Sequence, residues 1–150
     1  METIKMSEKE YADLCRIVRR VSFFGNMTIG QIELILPYIT LWKFLKGEEV
    51  FRQDEPGDSF YILHEGEVSV RVKKGFFSLS KKVAMLGPGS FFGEMALLAR
   101  EPRNASIICE KDSRIFALSA DDFEGVRKNN LSFAAEIKKI AAERKNTNRS

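Results

Sequence analysis

The chain has 150 residues, 44% of them hydrophobic and 30% charged, with a net charge of +3. That length suits one domain with a proper core and is short for two. The mild charge carries no dense Lys/Arg block ahead of the C-terminal tail and no apolar run near the ~18 residues of a membrane span, so neither nucleic acid nor a membrane span is expected.

The N-terminal Met-Glu-Thr-Ile-Lys lacks a signal-peptide core, which makes the cytoplasm the expected compartment. The single histidine, His64, is too few for the ligand cluster of a metal-binding β-barrel, so no metal is expected. It is read as closing a hairpin beside Glu65-Gly66. Cys15 and Cys109 lack CxxC spacing and read as reduced thiols.

Residues 1–38 read as helical. Ser7-Glu8-Lys9-Glu10 is a capping box that opens a helix with Tyr11, Leu14, Cys15, Val18 and Val21 on its apolar stripe. Thr28 with Gln31 forms a second box, followed by Ile32, Ile35 and Leu36, and Pro37 marks the end. These two helices are expected to form a side layer or lid on the same domain.

From residue 39 to 118 the period changes to two. Val68-Ser69-Val70-Arg71-Val72-Lys73 alternates cleanly, and turn signals recur about every ten residues. Short strands at that spacing predict an antiparallel sandwich or barrel. The basic stretch 73–82 with Phe76-Phe77 at its centre reads as a hairpin that packs its aromatics on the barrel, with a nucleic-acid contact as the alternative.

Residues 91–106, Phe-Phe-Gly-Glu-Met-Ala-Leu-Leu-Ala-Arg-Glu-Pro-Arg-Asn-Ala-Ser, organise the rest. Gly93 permits a close backbone approach, and Glu94 to Ala99 supply helix formers. The start of a helix offers unpaired N–H groups to an anion, and Arg103 adds a guanidinium shaped for two phosphate oxygens. Glu94 at the same turn would repel a phosphate but suits a sugar hydroxyl. One acceptor, one cation and several backbone donors within about ten residues describe a ribose phosphate site.

Phe-Gly-Glu-x-Ala-Leu-Leu followed by Pro-Arg-x-Ala-Ser resembles the phosphate-binding cassette of the cyclic nucleotide-binding domain family, which includes the regulatory subunits of cAMP-dependent protein kinase, the bacterial catabolite activator and cyclic nucleotide-gated channels. The resemblance implies an eight-stranded antiparallel jelly-roll barrel with flanking helices, mainly β, and a ligand of cAMP or cGMP rather than a cofactor. It makes Arg103 the phosphate ligand and Glu94 the acceptor for the ribose 2′-hydroxyl. Gly93, Met95, Ala96, Asn104 and Ala105 fall where the family offers backbone or close contacts, and Val70, Val72 and Val83 where barrel walls would face the base. The residue after the arginine is often Ala in cAMP-selective relatives and Thr in cGMP-binding ones. Here it is Asn104, so the expected order, cAMP ahead of cGMP, rests on general likeness to small cAMP sensors.

Residues 119–150 read as C-terminal helices followed by a short polar tail from Lys145 to Ser150. Ser119 caps the first, through Phe123 and Val126. The last carries Phe133, Ile137, Ile140 and Ala141 on one stripe, with Arg144 next along it. Resembling domains end with an arginine over the base, which would make Ile140 and Arg144 a cap; the alternative leaves Arg144 at the helix end, where a cation suits the dipole.

The functional expectation is a cyclic nucleotide sensor that converts binding into movement of the C-terminal helix. No nucleophile–base pair supports an enzyme. The alternatives are a protein-interaction module that has lost its ligand and the regulatory part of a larger channel or transcription complex. Ending at Ser150 leaves no room for a helix-turn-helix, and the sequence names neither a downstream protein nor an oligomeric seam.

Overall fold

The computed structural model describes residues 1–21, 24–75 and 79–149, and side chains up to Glu143. The expected hairpin aromatics Phe76 and Phe77, and the side chain of Arg144, lie outside those residues.

Two helices open the domain after a short strand, β1 (Glu2–Ile4). Helix α1 (Glu8–Val18) starts on the expected box: Glu10 N–H donates to Ser7 Oγ and Ser7 N–H to Glu10 Oε1, both at 3.1 Å. Helix α2 (Ile29–Ile35) repeats it with Thr28 and Gln31, and continues as a 3-10 turn, Leu36–Tyr38, around Pro37. Leu14, Val18 and Val21 are buried as the spacing predicts, but Tyr11 is exposed at the edge of the stripe.

The strands then follow as β2 (Thr40–Phe44), β3 (Glu49–Phe51), β4 (Ser59–Glu65), β5 (Val68–Val72), β6 (Lys81–Leu86) and β7 (Phe91–Phe92). After helix α3 (Met95–Leu98) come β8 (Ser106–Cys109) and β9 (Ser113–Ser119), then helices α4 (Ala120–Asn129) and α5 (Leu131–Arg149). The strands form two antiparallel sheets, ordered β1-β2-β9-β4-β7 and β3-β8-β5-β6. This is the mainly β jelly-roll architecture with flanking helices, with β1 added as an edge strand to the eight expected. The β4–β5 turn depends on Gly66, at φ +104, where a Cβ would stand 2.1 Å from Ser113 Oγ.

Two apolar cores lie on opposite faces of the first sheet. Alternate residues of β4 divide between them: Phe60 and Ile62 face the helices, while Tyr61 and Leu63 face the second sheet. Phe116 and Ile115 divide β9 in the same way. The helical core gathers Leu14, Ile35, Phe123, Phe133, Ile137 and Ile140, so both N-terminal and C-terminal helices cover one face of one sheet.

His64 does not close a hairpin. It sits within β4 on the helical face, its Nε2 3.0 Å from Asp13 Oδ2 of α1 and its ring 5.2 Å from that of Phe116. Beside it, Arg114 Nη1 donates to Glu10 Oε2 at 2.7 Å, so α1 is fastened to the sheet by polar as well as apolar contacts.

Candidate functional site

The site forms where β7 turns into α3. Gly93 adopts φ +78, which bends the chain sharply. A Cβ there would stand 2.7 Å from Arg103 Nη1 and 3.2 Å from the Ser59 carbonyl. Glycine is therefore required both by the backbone angle and by the side chain that passes beside it.

Arg103 is held from several directions. Its backbone is laddered to the β3–β4 loop: Asp54 N–H donates to Arg103 O at 2.8 Å, and Arg103 N–H to Glu55 O at 2.7 Å. Its side chain is only 5% exposed, with Nη2 donating to the Ser59 carbonyl at 2.7 Å and Nη1 to the Gly93 carbonyl at 3.4 Å. The largely exposed carboxylate of Asp58 lies 3.7 Å from Nη2. The guanidinium carbon sits 4.0 Å above the Phe51 ring. Burial pushes its pKa down, an effect opposed by Tyr61, Asp58 and Glu55. Buried Nε has no hydrogen-bond partner in the protein. A buried donor of a charged group left unpaired is unfavourable, so this edge suits an anionic acceptor.

Arg103 also lines a cavity of about 320 Å3. Gly93, Glu94, Met95 and Ala96 line one side, and Arg103, Asn104 and Ala105 the other. Val70 belongs to the wall as expected, and Phe51, Phe92, Glu101, Pro102 and Ile107 complete it. Eight of the residues singled out in the sequence thus meet around one concavity.

Val72, Val83 and Ile140 do not join them. Val83 is the extra residue where β6 shifts register against β5, and it is 59% exposed. Val72 pairs with Lys81 at the far end of the same hairpin, away from the cavity lining. Ile140 is buried in the helical core beside Val126, Phe133 and Ile137 instead of covering the cavity. Ala141 lines a separate groove of about 500 Å3 with Leu97 and Leu98. A helical stripe identifies the apolar face of α5 but not which of two apolar surfaces receives it.

Phe51, Ser59 and Asp58 were missed. Each contacts Arg103 from 44 or more positions away, and no local pattern announces it. A larger groove of about 680 Å3 runs over the outer face of the second sheet, beside Glu49, Arg52, Gln53, Lys73 and Ser106. Its polar groups answer one another: Arg52 is bidentate on Glu49, and Gln53 pairs with both backbone groups of Lys73. Among the described residues it lacks the unsatisfied buried donor that marks the smaller cavity.

A family model for the cyclic nucleotide-binding domain matches residues 41–130. The chain is 31% identical over 132 residues to a predicted potassium channel protein of Rhodopseudomonas palustris, covering 88% of this chain and 31% of that one. It is 32% identical over 129 residues to the cGMP-dependent protein kinase of Eimeria tenella, covering 85% of this chain and 12% of the kinase. The chain thus spans about a third or less of the length of these relatives. Among solved structures, the regulatory domain of Toxoplasma gondii PKA crystallised with cAMP superposes with a TM-score of 0.71 at 25% identity, over 90% of this chain and 51% of that one. The chain belongs to the cyclic nucleotide-binding domain family.

Proposed function

We propose that the domain is a sensor of a cyclic nucleotide, cAMP ahead of cGMP, and that occupancy of the cavity moves the C-terminal helices. The observation that carries this reading is the buried, pre-positioned Arg103, which lines the cavity and whose Nε has no hydrogen-bond partner in the protein. In this reading the guanidinium takes the cyclic phosphate, and Glu94 accepts from the ribose 2′-hydroxyl. Ala96 and Ala105 keep the backbone accessible where a larger side chain would fill the space. Met95, Val70 and Ile107 offer apolar walls to the sugar and base.

Transmission follows from the position of α3. Ala96 lines the cavity, whereas Leu97, one residue on, belongs to the helical core. Arg100, just beyond α3, forms an ion pair with Asp121 in the first turn of α4. The Asp58 carbonyl accepts from Ala120 N–H at 2.8 Å, while the Asp58 carboxylate faces Arg103. A phosphate that draws on Arg103 and α3 therefore acts on groups that also hold the start of α4. The ligand shifts the helices only in so far as it binds one arrangement better than the other.

A second reading, the regulatory part of a larger assembly, is favoured by relatives in which the matched segment is a minor share of the protein. It uses the same site.

Thermal denaturation with each nucleotide tests the sensor reading. Ligand at a thousandfold over its dissociation constant stabilises the folded state by about 4 kcal/mol. A rise in melting temperature with cAMP, smaller with cGMP at equal concentration, is expected. No rise with either nucleotide at millimolar concentration contradicts the reading, and a larger rise with cGMP reverses the order. Asn104→Ala then reports whether that side chain contributes to the preference.

A further inference from the structure

We propose that Phe51 is a positioning residue for nucleotide binding: its ring is the platform that fixes the plane of the Arg103 guanidinium so that Nε faces the ligand. The inference rests on the reading of Arg103 as the phosphate ligand and assigns the residue that aims it.

Strand β3 carries the first half of the argument. Glu49 pairs with Ile108 and Phe51 with Ile107, so two steps along β3 match one step along β8. In a regular ladder Glu49 and Phe51 would share a face. The register shift between them separates the two: Glu49 lines the outer groove with Ile108, and Phe51 lines the cavity with Ile107. Turning one side chain to the opposite face is a recognised use of a bulge. The side chain turned here is the one beneath Arg103.

The second half is the incomplete set of hydrogen bonds on the guanidinium. It has five N–H donors in a rigid fork. Nη2 bonds firmly to Ser59 O, the contact from Nη1 to Gly93 O is long, and Nε has no partner within the protein. One short hydrogen bond, one long one and an exposed carboxylate at 3.7 Å hold the fork's position more firmly than its plane. The aromatic face at 4.0 Å supplies the missing restraint, because a planar cation stacked on a ring keeps its plane. The ring is itself fixed: Phe51 lies 5.8 Å from Tyr61 and 6.0 Å from Phe92, and those two rings stack at 5.5 Å. A platform serves binding better here than a further carboxylate would, since it holds the cation without occupying Nε or neutralising its charge.

The test is a double-mutant cycle on the 150-residue chain, with cAMP affinity measured calorimetrically. Phe51→Leu keeps an apolar side chain and removes the ring face, and is expected to weaken cAMP about tenfold, a cation–π contact at a desolvated site. Phe51→Tyr restores affinity to within about twofold. In an Arg103→Lys background, which lacks the planar fork, Phe51→Leu changes affinity less than about twofold. Equal losses in both backgrounds, or no loss with Arg103 intact, overturn the proposal.

Failure of the underlying reading looks different: Arg103→Lys alone would then bind cAMP as the unmodified protein does. The platform stays testable in that case through the 15N-correlated Nε–H signal of Arg103 without nucleotide. It is expected to lie upfield, shielded by the ring, and to move downfield in Phe51→Leu. An unmoved signal refutes the stacking directly.

Discussion

The two sheets of this domain follow the same alternation rule yet live in different surroundings. The first is covered on both faces, by helices on one side and by the second sheet on the other, and its central strands β4 and β9 each carry an unbroken apolar run, residues 60–63 and 115–118. The second is covered on one face only. Its β5 strand alternates Val68 and Val70 towards the interior with Ser69 and Arg71 on the other face, where Ser69 is buried and accepts from Arg71 Nε, and its edge strand β6 is exposed along most of its length. The difference teaches where a signal can travel. A change at the second sheet meets solvent, whereas a change at the first meets the helices. The cavity touches both, through Val70 and Ile107 of the second sheet and Phe92 of the first, with α3 beside it.

The largest expected effect breaks that contrast at its centre. Phe116 is 1% exposed between the first sheet and the helices, so Phe116→Ala should destabilise the domain by about 3–5 kcal/mol in urea titration. The matching truncation on the outer edge, Val83→Ala, should change stability by less than about 0.5 kcal/mol. Comparable values would mean that the helices are not packed as described.

Gly93→Ala comes next. The strained backbone should lower stability by about 1–3 kcal/mol, and the displaced Arg103 should weaken cAMP beyond that change in stability. Normal affinity in a folded Gly93→Ala protein would detach the glycine from the site.

The outer face of the second sheet offers a pH test. Glu110 is drawn from 4.5 to about 2, first by hydrogen bonding from Ser69, then by Arg71 and Lys82. Because its folded pKa lies below the unfolded one, its stabilising contribution is present above about pH 4.5 and is lost as pH falls towards 2. Glu110→Gln should therefore be less stable than the unmodified protein at neutral pH, with the gap closing over that window. A gap that persists at pH 2 would assign the loss to packing.

The smallest effect concerns Asp54, the non-glycine residue at positive φ (+74) among the described residues. Asp54→Gly should relieve the strain and stabilise by up to about 1 kcal/mol while keeping the backbone bond to Arg103 O. Destabilisation would show that the carboxylate contributes more than the backbone conformation costs.

Legibility in the sequence followed distance along the chain. Gly93, Glu94 and Arg103 lie within about ten residues, so spacing alone could group them, and the structure brings all three to one cavity. The capping boxes were legible for the same reason. β1 escaped notice because three residues show no period. His64 was misplaced because its partner Asp13 is 51 positions away. Phe51 was missed because period-two reading cannot see a register shift. Ile140 was correctly placed on an apolar stripe, but the stripe packs into the helical core.

Calorimetric titration of cAMP into the protein and into Arg103→Ala bears most directly on the claim that one buried guanidinium receives the phosphate. Removing one partner of a buried charge pair amounts to about 3–5 kcal/mol, so affinity should fall by roughly a hundredfold to several thousandfold. A folded Arg103→Ala protein that binds cAMP within about threefold of the unmodified chain would contradict the account.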